Sequence, residues 1–455
     1  MWGAWLWVCL IPMDWTEPKR PSWFNLRVVA WALFDLGATI FSMLAISRYL
    51  GPWVVDEKGG TEAELNLSMS LSMAIAAILQ ILLSPISDEW GRRRVFVIFF
   101  TIVCAAACAG MSGAPTLGTG LLLFVVANIG YQVASVFYSA MLDDVSDERH
   151  RARVSGIGVG LGYVGSIIGL LLSEKLVRPD INLYSPVFEF TAVAFFVFAL
   201  PLFLFVPEKP SLVRLNFAQS LTNSIGAFAT TLRRVWLHRE LLFFFIGCLL
   251  ALDAVHTVIF NMALYCKTVV GLDPVKPVEL PFWSGVGTGG PFQVSEMNLF
   301  LITSTVCAIF GAFGIGHIAD KTDHYRMLLA ILVLWMVALV LAMFSVQRTL
   351  FWLIGPLFGL ALGGIWTVSR AYLLDICHPE ERGQMFALYG LVGRGAAILG
   401  PAVWAGVVTL FRPEIGERKA YRLAIGAMLL LMALGFWVIL LARPRSRQSW
   451  RRWVS

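Results

Sequence analysis

The sequence predicts an all-α membrane protein, with twelve transmembrane helices in two pseudo-symmetric bundles of six. Three observations carry that prediction. Hydrophobic residues make up 58% and charged residues only 14% of the 455 positions, with a mean hydropathy of +0.75, whereas a soluble chain carries roughly 25% charged residues. The apolar residues gather in stretches of about 20 between short charged loops, long enough to cross a hydrocarbon core about 30 Å thick. One punctuation pattern also occurs twice. Ser84, Asp88, Gly91 and Arg92 to Arg94 in the first copy answer to Gly316, Asp320, Asp323 and Arg326 in the second. Beyond them Leu142/Leu373, Asp144/Asp375, Arg151/Arg382, Gly162/Gly393, Ile167/Ile398 and Gly169/Gly400 match at a single offset (373 − 142 = 231). A run of matches at one offset marks a tandem duplication.

In chain order, the first bundle (23–206) contains stretches 23–50, 64–87, 94–112, 117–142, 151–174 and 187–206. The second (241–442) contains 241–268, 294–318, 326–346, 349–374, 383–410 and 420–442. Between them lies a polar linker, 207–240. Its residues Phe217, Leu221, Ile225, Phe228, Leu232 and Val235 recur at spacings of three and four, followed by Arg233, Arg234 and Arg239. That pattern fits an amphipathic helix in the cytoplasmic interface; a solvated tether is the alternative. Lys and Arg fix the orientation. Arg92 to Arg94, Arg149, Arg151, Arg153, the linker, Lys321, Arg326, Arg382 and the tail from Arg443 to Arg452 all fall on one side, so both termini are expected in the cytoplasm. The net charge of +6 therefore reports topology, and no nucleic acid is expected as a partner. Within the N-terminal segment 1–22, Met1 to Pro12 is apolar and rich in Trp but too short to span and without the features of a signal peptide, so none is expected; the tail is 443–455.

Several chemistries are excluded. Seven cysteines are scattered without ligand spacing and read as core residues, and no metal or cofactor is expected. Gly160-Leu-Gly162-Tyr-Val-Gly165 matches a dinucleotide fingerprint but lies inside an apolar stretch with no preceding strand. It reads instead as a small-residue face for close helix approach. A second match, Gly285 to Gly290, falls in an external loop and reads as a flexible connector. No Walker A sequence and no nucleophile–base constellation is visible, which argues against ATP-driven transport by this chain alone and against an enzyme.

The informative residues are ionisable groups inside the apolar stretches. Asp35 and Asp253 each lie about twelve residues into the first and seventh stretches, and each is followed four positions later by a threonine, Thr39 and Thr257. Their offset (253 − 35 = 218) falls short of 231 by about the extra length of external loop 269–293 over loop 51–63, so the two aspartates are equivalent positions. His256 follows Asp253 by one turn, and Arg394 lies mid-way along the eleventh stretch. A charge at a helix centre costs about 2.5–3.5 kcal/mol on insertion scales. Such groups either pair to bind helices together or line an aqueous cavity that takes substrate or a coupling proton; His256 reads equally as a core histidine or a cavity group.

Together these features resemble the major facilitator superfamily. Within it, Trp31-Ala32-x-x-Asp35, Val136-Phe137-Tyr138-Ser139-Ala140, Arg153 to Gly156, Gly162-Tyr163-Val-Gly165, Gly363-Gly364, Ser369-Arg370 and Arg394 before Gly400-Pro401 resemble the vacuole-effluxer branch. Departures stand at Ala38, Ser139 and Trp366, where the branch commonly carries amides, and they weaken the case for an amino-acid substrate. The resemblance implies alternating access of two bundles around a mid-membrane site. Asp35, Asp253, Arg394, His256, Tyr163, Asn128, Gln132 and Trp366 are expected to bind substrate or couple it. Asp88, Arg92, Arg94, Arg151, Asp320, Arg326 and Arg382 are expected to latch the cytoplasmic side, although cytoplasmic arginines also serve topology alone. The expected activity is proton-coupled secondary transport of a small solute, with efflux of an amino acid or other carboxylate as its specific form. The alternatives are a lipid or amphiphile transporter on this fold and a non-transporting scaffold or receptor. Expected partners are the small-molecule substrate, protons and the bilayer, with a monomer as the functional unit, in the plasma (inner) membrane if the source is bacterial.

Overall fold

A computed structural model describes residues 25–90, 92–146, 151–207, 226, 229–230, 232–272, 277–279, 293–319, 321–345, 347–377, 382–395 and 398–441. The architecture is carried by α1 (Leu26–Phe41), α2 (Glu62–Trp90), α3 (Arg93–Ser112), α4 (Leu117–Ala140), α5 (Arg151–Ser173) and α6 (Pro186–Phe205) in the first half. The second half contains α7 (Arg239–Tyr265), α8 (Glu296–Ala319), α9 (His324–Phe344), α10 (Arg348–Ile376), α11 (Arg382–Gly395), α12 (Leu399–Ile415) and α13 (Glu417–Leu441). Among the described residues ten helices are long and apolar enough to cross a membrane. The other two predicted stretches are occupied as well. The apolar part of α5 is shorter, Ile157–Ser173, and the eleventh stretch holds two helices, α11 and α12, in place of the single one predicted.

Local chemistry starts several helices. Asn25 accepts from the Val28 N–H at 3.1 Å to cap α1. Thr61 and Glu64 form a reciprocal capping box at α2, with the Thr61 N–H on Glu64 Oε2 at 2.8 Å and the Glu64 N–H on Thr61 Oγ1 at 3.2 Å. Asp323, read in the sequence only as part of the second motif, caps α9 through the Tyr325 and Arg326 N–H groups. Both α1 and α7 pass into π-helical turns at their C-terminal ends, Ser42–Arg48 and Cys266–Val270. Two short strands, β1 (Pro277–Glu279) and β2 (Gln293–Ser295), pair antiparallel in the external loop, where the sequence suggested only a connector. Of the predicted interfacial helix, Phe217, Leu221, Ile225 and Phe228 lie outside the described residues; at 232–237 the chain is helical, with Val235 buried and Leu232 exposed.

Packing repeats between the halves. α1 packs on α5 and α6 as α7 packs on α11, α12 and α13; α3 packs on α4 and α6 as α9 packs on α10 and α13. The duplication seen in sequence is thus a duplication of helix partnerships. It extends to an ion pair at the edge where α3 and α9 begin. Arg93, the first residue of α3, lies 3.7 Å from Asp144, and His324, the first residue of α9, lies 2.6 Å from Asp375, both at the same offset (324 − 93 = 375 − 144 = 231). Arginine keeps its charge at any relevant pH, whereas the histidine contributes charge attraction only while protonated and otherwise a plain hydrogen bond. An exposed pair of this kind is worth about 0.2–1 kcal/mol. His324→Ala is therefore expected to lower the melting temperature by no more than a degree or two, read by a thermal melt of the purified protein.

Candidate functional site

The hydrogen bonds and ion pairs that join described residues of the two halves all lie on the side where α2 and α8 begin. Arg48, 1% exposed at the end of the first span, donates Nε–H to Asn298 Oδ1 of α8 at 2.5 Å. Asn298 in turn donates to the Tyr49 hydroxyl at 3.0 Å and to the Leu170 carbonyl at 3.3 Å. Asn66 of α2 and Asn261 of α7 exchange reciprocal amide bonds of 3.0 and 2.9 Å. Glu62, 2% exposed, accepts from Arg412 at 2.9 Å and from the Tyr421 hydroxyl at 2.9 Å. Lys267 pairs with Asp56, and the Ser295 amide donates to Glu174 at 2.7 Å. A buried carboxylate is tolerated only when its lone pairs are satisfied, and this seal meets that condition with partners drawn from both halves. Sequence reading missed this seal, because Glu62 and Arg412 sit near helix ends where charges are commonplace.

At the level of the two aspartates the halves diverge. In each, the threonine one turn on donates to the aspartate carbonyl, Thr39 to Asp35 at 2.6 Å and Thr257 to Asp253 at 2.7 Å. In each a glycine of the neighbouring span closes on the pair. A Cβ at Gly162 of α5 would stand 2.7 Å from Thr39 Oγ1 and 3.4 Å from Asp35 Oδ2. A Cβ at Gly400 would collide with Thr257 Oγ1 and stand 3.0 Å from Asp253 Oδ1. The spatial counterpart of Gly162 is therefore Gly400, whereas the sequence offset had matched it to Gly393, seven positions earlier (400 − 393 = 7). The carboxylates differ in use. Asp253, 2% exposed, accepts the Gly400 N–H at 2.8 Å. It thereby places a negative charge at the N-terminus of α12, where the helix dipole favours it; Asp253 is also engaged beyond this bond. Asp35 is only half-buried, and no described group donates a hydrogen bond to its carboxylate. A positive charge that acts on it comes from the other half: Arg370 of α10, an exposed residue, interacts electrostatically with Asp35 and with Tyr163.

The remaining expected site residues divide by environment. Tyr163 shares the surroundings of Asp35 and Arg370. His256 and Trp366 meet at a ring-centroid distance of 5.8 Å and a tilt of 49°. Asn128 and Gln132 do not join them. Asn128 is fully buried and donates to Ser72 of α2 at 2.7 Å, and Gln132 donates to Asn128 at 3.4 Å, forming a polar knot between α4 and α2 within the first half. The Arg394 side chain lies outside the described residues, as do those of Asp88, Arg151 and Arg382 and the whole of Asp320. Arg94 donates to the Val206 carbonyl at 2.9 Å, which ties α3 to the end of α6 in its own half. Arg92 and Arg326 are exposed at the starts of α3 and α9.

The model of the vacuole effluxer Atg22 like family matches residues 60–449. The chain belongs to that family. A protein named an uncharacterized MFS-type transporter, YxiO, of Bacillus subtilis is 25% identical, with 84% of this chain and 88% of that protein aligned. Autophagy-related protein 22 of Kluyveromyces lactis is 22% identical over 80% of this chain and 76% of its own length. Among solved structures, a bacterial homolog of the human lysosomal transporter Spinster, inward-facing and unoccupied, superposes with a TM-score of 0.69 at 14% identity, covering 92% of this chain and 96% of the other. The nucleoside transporter NupG (D323A mutant) gives 0.68 at 14% identity, covering 92% and 100%. This Atg22-like protein therefore has the major facilitator fold, and it is a multi-pass membrane transporter of a family that does not comprise enzymes.

Two residues of this Atg22-like site entered the sequence reading only as motif members. Arg370 was quoted for its resemblance alone, since a basic residue six positions from a cytoplasmic helix end reads as topology. Its spacing of four from Trp366 was the usable signal, because it places both on one face of α10. Tyr138 was the other. It stacks between Trp31 at 4.6 Å and Phe34 at 4.5 Å, and its hydroxyl is buried with no hydrogen-bond partner among the described residues.

Proposed function

We propose that the protein moves a small carboxylate-bearing solute by alternating access, one proton travelling with each solute on Asp35. The observation that carries this reading is the electrostatic interaction of Asp35 with Arg370, opposite charges contributed by opposite halves, with no hydrogen bond to the Asp35 carboxylate from the described residues. Empty, the pair neutralises itself. A carboxylate bound at Arg370 leaves the cavity with one uncompensated negative charge, and closing a low-dielectric site on it is costly. Protonation of Asp35 removes that charge, so proton and carboxylate cross together and the direction follows their combined gradient. Asp253, committed to the α12 terminus, is the structural member of the duplicated pair. The external seal and the distribution of Lys and Arg support a site that loads from the cytoplasmic side in this conformation, with both termini in the cytoplasm and, in a bacterium, the plasma membrane as location. An amino acid fits as one form of the solute, its ammonium group taking the place of the proton beside Asp35.

Counterflow in proteoliposomes tests the reading. Radiolabelled monocarboxylate, dicarboxylate, amino acid and aryl acid are offered to vesicles preloaded with the same unlabelled compound, with protein-free vesicles as blank. At least one class is expected to exchange, and Arg370→Leu to reduce that exchange about 100-fold, the scale of losing one partner of a charged contact. Exchange that survives Arg370→Leu sinks the proposal.

A further inference from the structure

We infer that the aromatic corner formed by His256 and Trp366 is a specificity subsite, and that the preferred solute is a carboxylate bearing a hydroxylated aromatic ring. The inference rests on the carboxylate reading above and names its substrate class. Trp366 precedes Arg370 by four residues on α10, so its indole lies one turn, about 6 Å of axial rise, towards the external side from the guanidinium on the same face. His256, from α7, leans on that indole at 5.8 Å and 49°, an open, tilted contact that leaves ring surface available. Neither nitrogen of His256 has a hydrogen-bond partner among the described residues, and Nδ1 is enclosed. A polar ring that the protein brings into the membrane and leaves unsatisfied calls for a partner from elsewhere. Opposite, Gly393 gives Trp366 no side chain to pack on: even a Cβ there would only reach van der Waals contact, 3.6 Å from the indole. The corner thus offers a flat apolar wall, a hydrogen-bonding imidazole and a cation one turn away. A carboxylate on Arg370 carries its aryl ring back along α10 onto Trp366, and a ring hydroxyl, which can donate or accept, meets His256 with either imidazole tautomer.

The test is competition against the best exchanged carboxylate in proteoliposomes, using 4-hydroxyphenylacetate, phenylacetate and hexanoate. These acids share one charge and differ in ring and hydroxyl. In the wild type, 4-hydroxyphenylacetate should compete about tenfold better than hexanoate, with phenylacetate between them, the range a well-formed apolar or hydroxyl-reading pocket supplies. Trp366→Leu should erase the ring preference and Trp366→Phe restore it. His256→Phe should remove only the advantage of the hydroxyl. Monodisperse elution of each variant in size-exclusion chromatography reports, independently of transport, whether the protein is still folded. Equal competition by hexanoate overturns this inference and leaves the carboxylate reading standing. Absence of exchange of any carboxylate class overturns both.

Discussion

Asp35→Asn is expected to reduce uptake driven by a pH gradient about 100-fold while leaving carboxylate counterflow within a few-fold of wild type, because only the empty return would then carry an unpaired charge worth about 2.5–3.5 kcal/mol. The asparagine copies the shape of a protonated aspartate. With solute on Arg370 the loaded cavity is then already neutral, and exchange proceeds. Without solute, Arg370 has no anion to face during closure, and each 1.4 kcal/mol or so added to that step slows it tenfold. Asp253→Asn should behave in the opposite way. Its carboxylate accepts the Gly400 N–H at 2.8 Å, and replacing a charged acceptor at a helix N-terminus with a neutral one costs about 1 kcal/mol. The variant should melt at lower temperature and reach the membrane in smaller amount, yet retain gradient-driven uptake per folded molecule. Paired measurements of pH-driven uptake, counterflow and melting temperature on both variants decide the matter. Uptake that survives in Asp35→Asn and disappears in Asp253→Asn would exchange the two roles and sink the assignment.

That split was the part of the site least legible in the sequence. Asp35 and Asp253 stood out at once, because a carboxylate within an apolar span is costly wherever it points. Their equivalence was also readable, since each carries a threonine four residues on. One contact that separates them is the backbone N–H of Gly400 on Asp253, and no side-chain pattern announces a backbone donor. The register of the duplication misled for a related reason. Seven residues make close to two full turns, so in the single helix predicted for this stretch Gly393 and Gly400 would fall on nearly the same face, and the apolar pattern cannot choose between them. Asn128 and Gln132 were legible as polar groups at depth, but their partner Ser72 lies on a different helix, and a serine in an apolar stretch is no signal by itself. The fold was legible almost throughout, because span length and charge placement are fixed by the bilayer and not by the packing of particular side chains.

Close helix approach shows the same contrast, and it yields the second large expected effect. The sequence pointed to the glycines of α5, and Gly162 does close on α1, while a Cβ at Gly160 would meet nothing within 4 Å. The tightest approach lies elsewhere. Gly355, Gly359 and Gly363 repeat every four residues along α10, and a side chain at Gly359 or Gly363 would overlap the Ser304 or Ala308 carbonyl oxygen of α8. Helix association in a membrane depends on such backbone proximity, because burying apolar surface against a partner gains little over burying it in lipid. A neighbour that is itself backbone cannot rotate away, so a branched side chain at Gly363 has to push α8 and α10 apart. The cost is about 3 kcal/mol, at the upper end for overpacking a dense interior, and it falls on a domain whose whole stability is about 5–15 kcal/mol. Gly363→Val should therefore abolish most folded protein in detergent, seen as loss of the monodisperse peak in size-exclusion chromatography. Gly160→Val should leave that peak unchanged. A Gly363→Val protein that elutes and melts like wild type would mean that α8 and α10 do not meet through this glycine face.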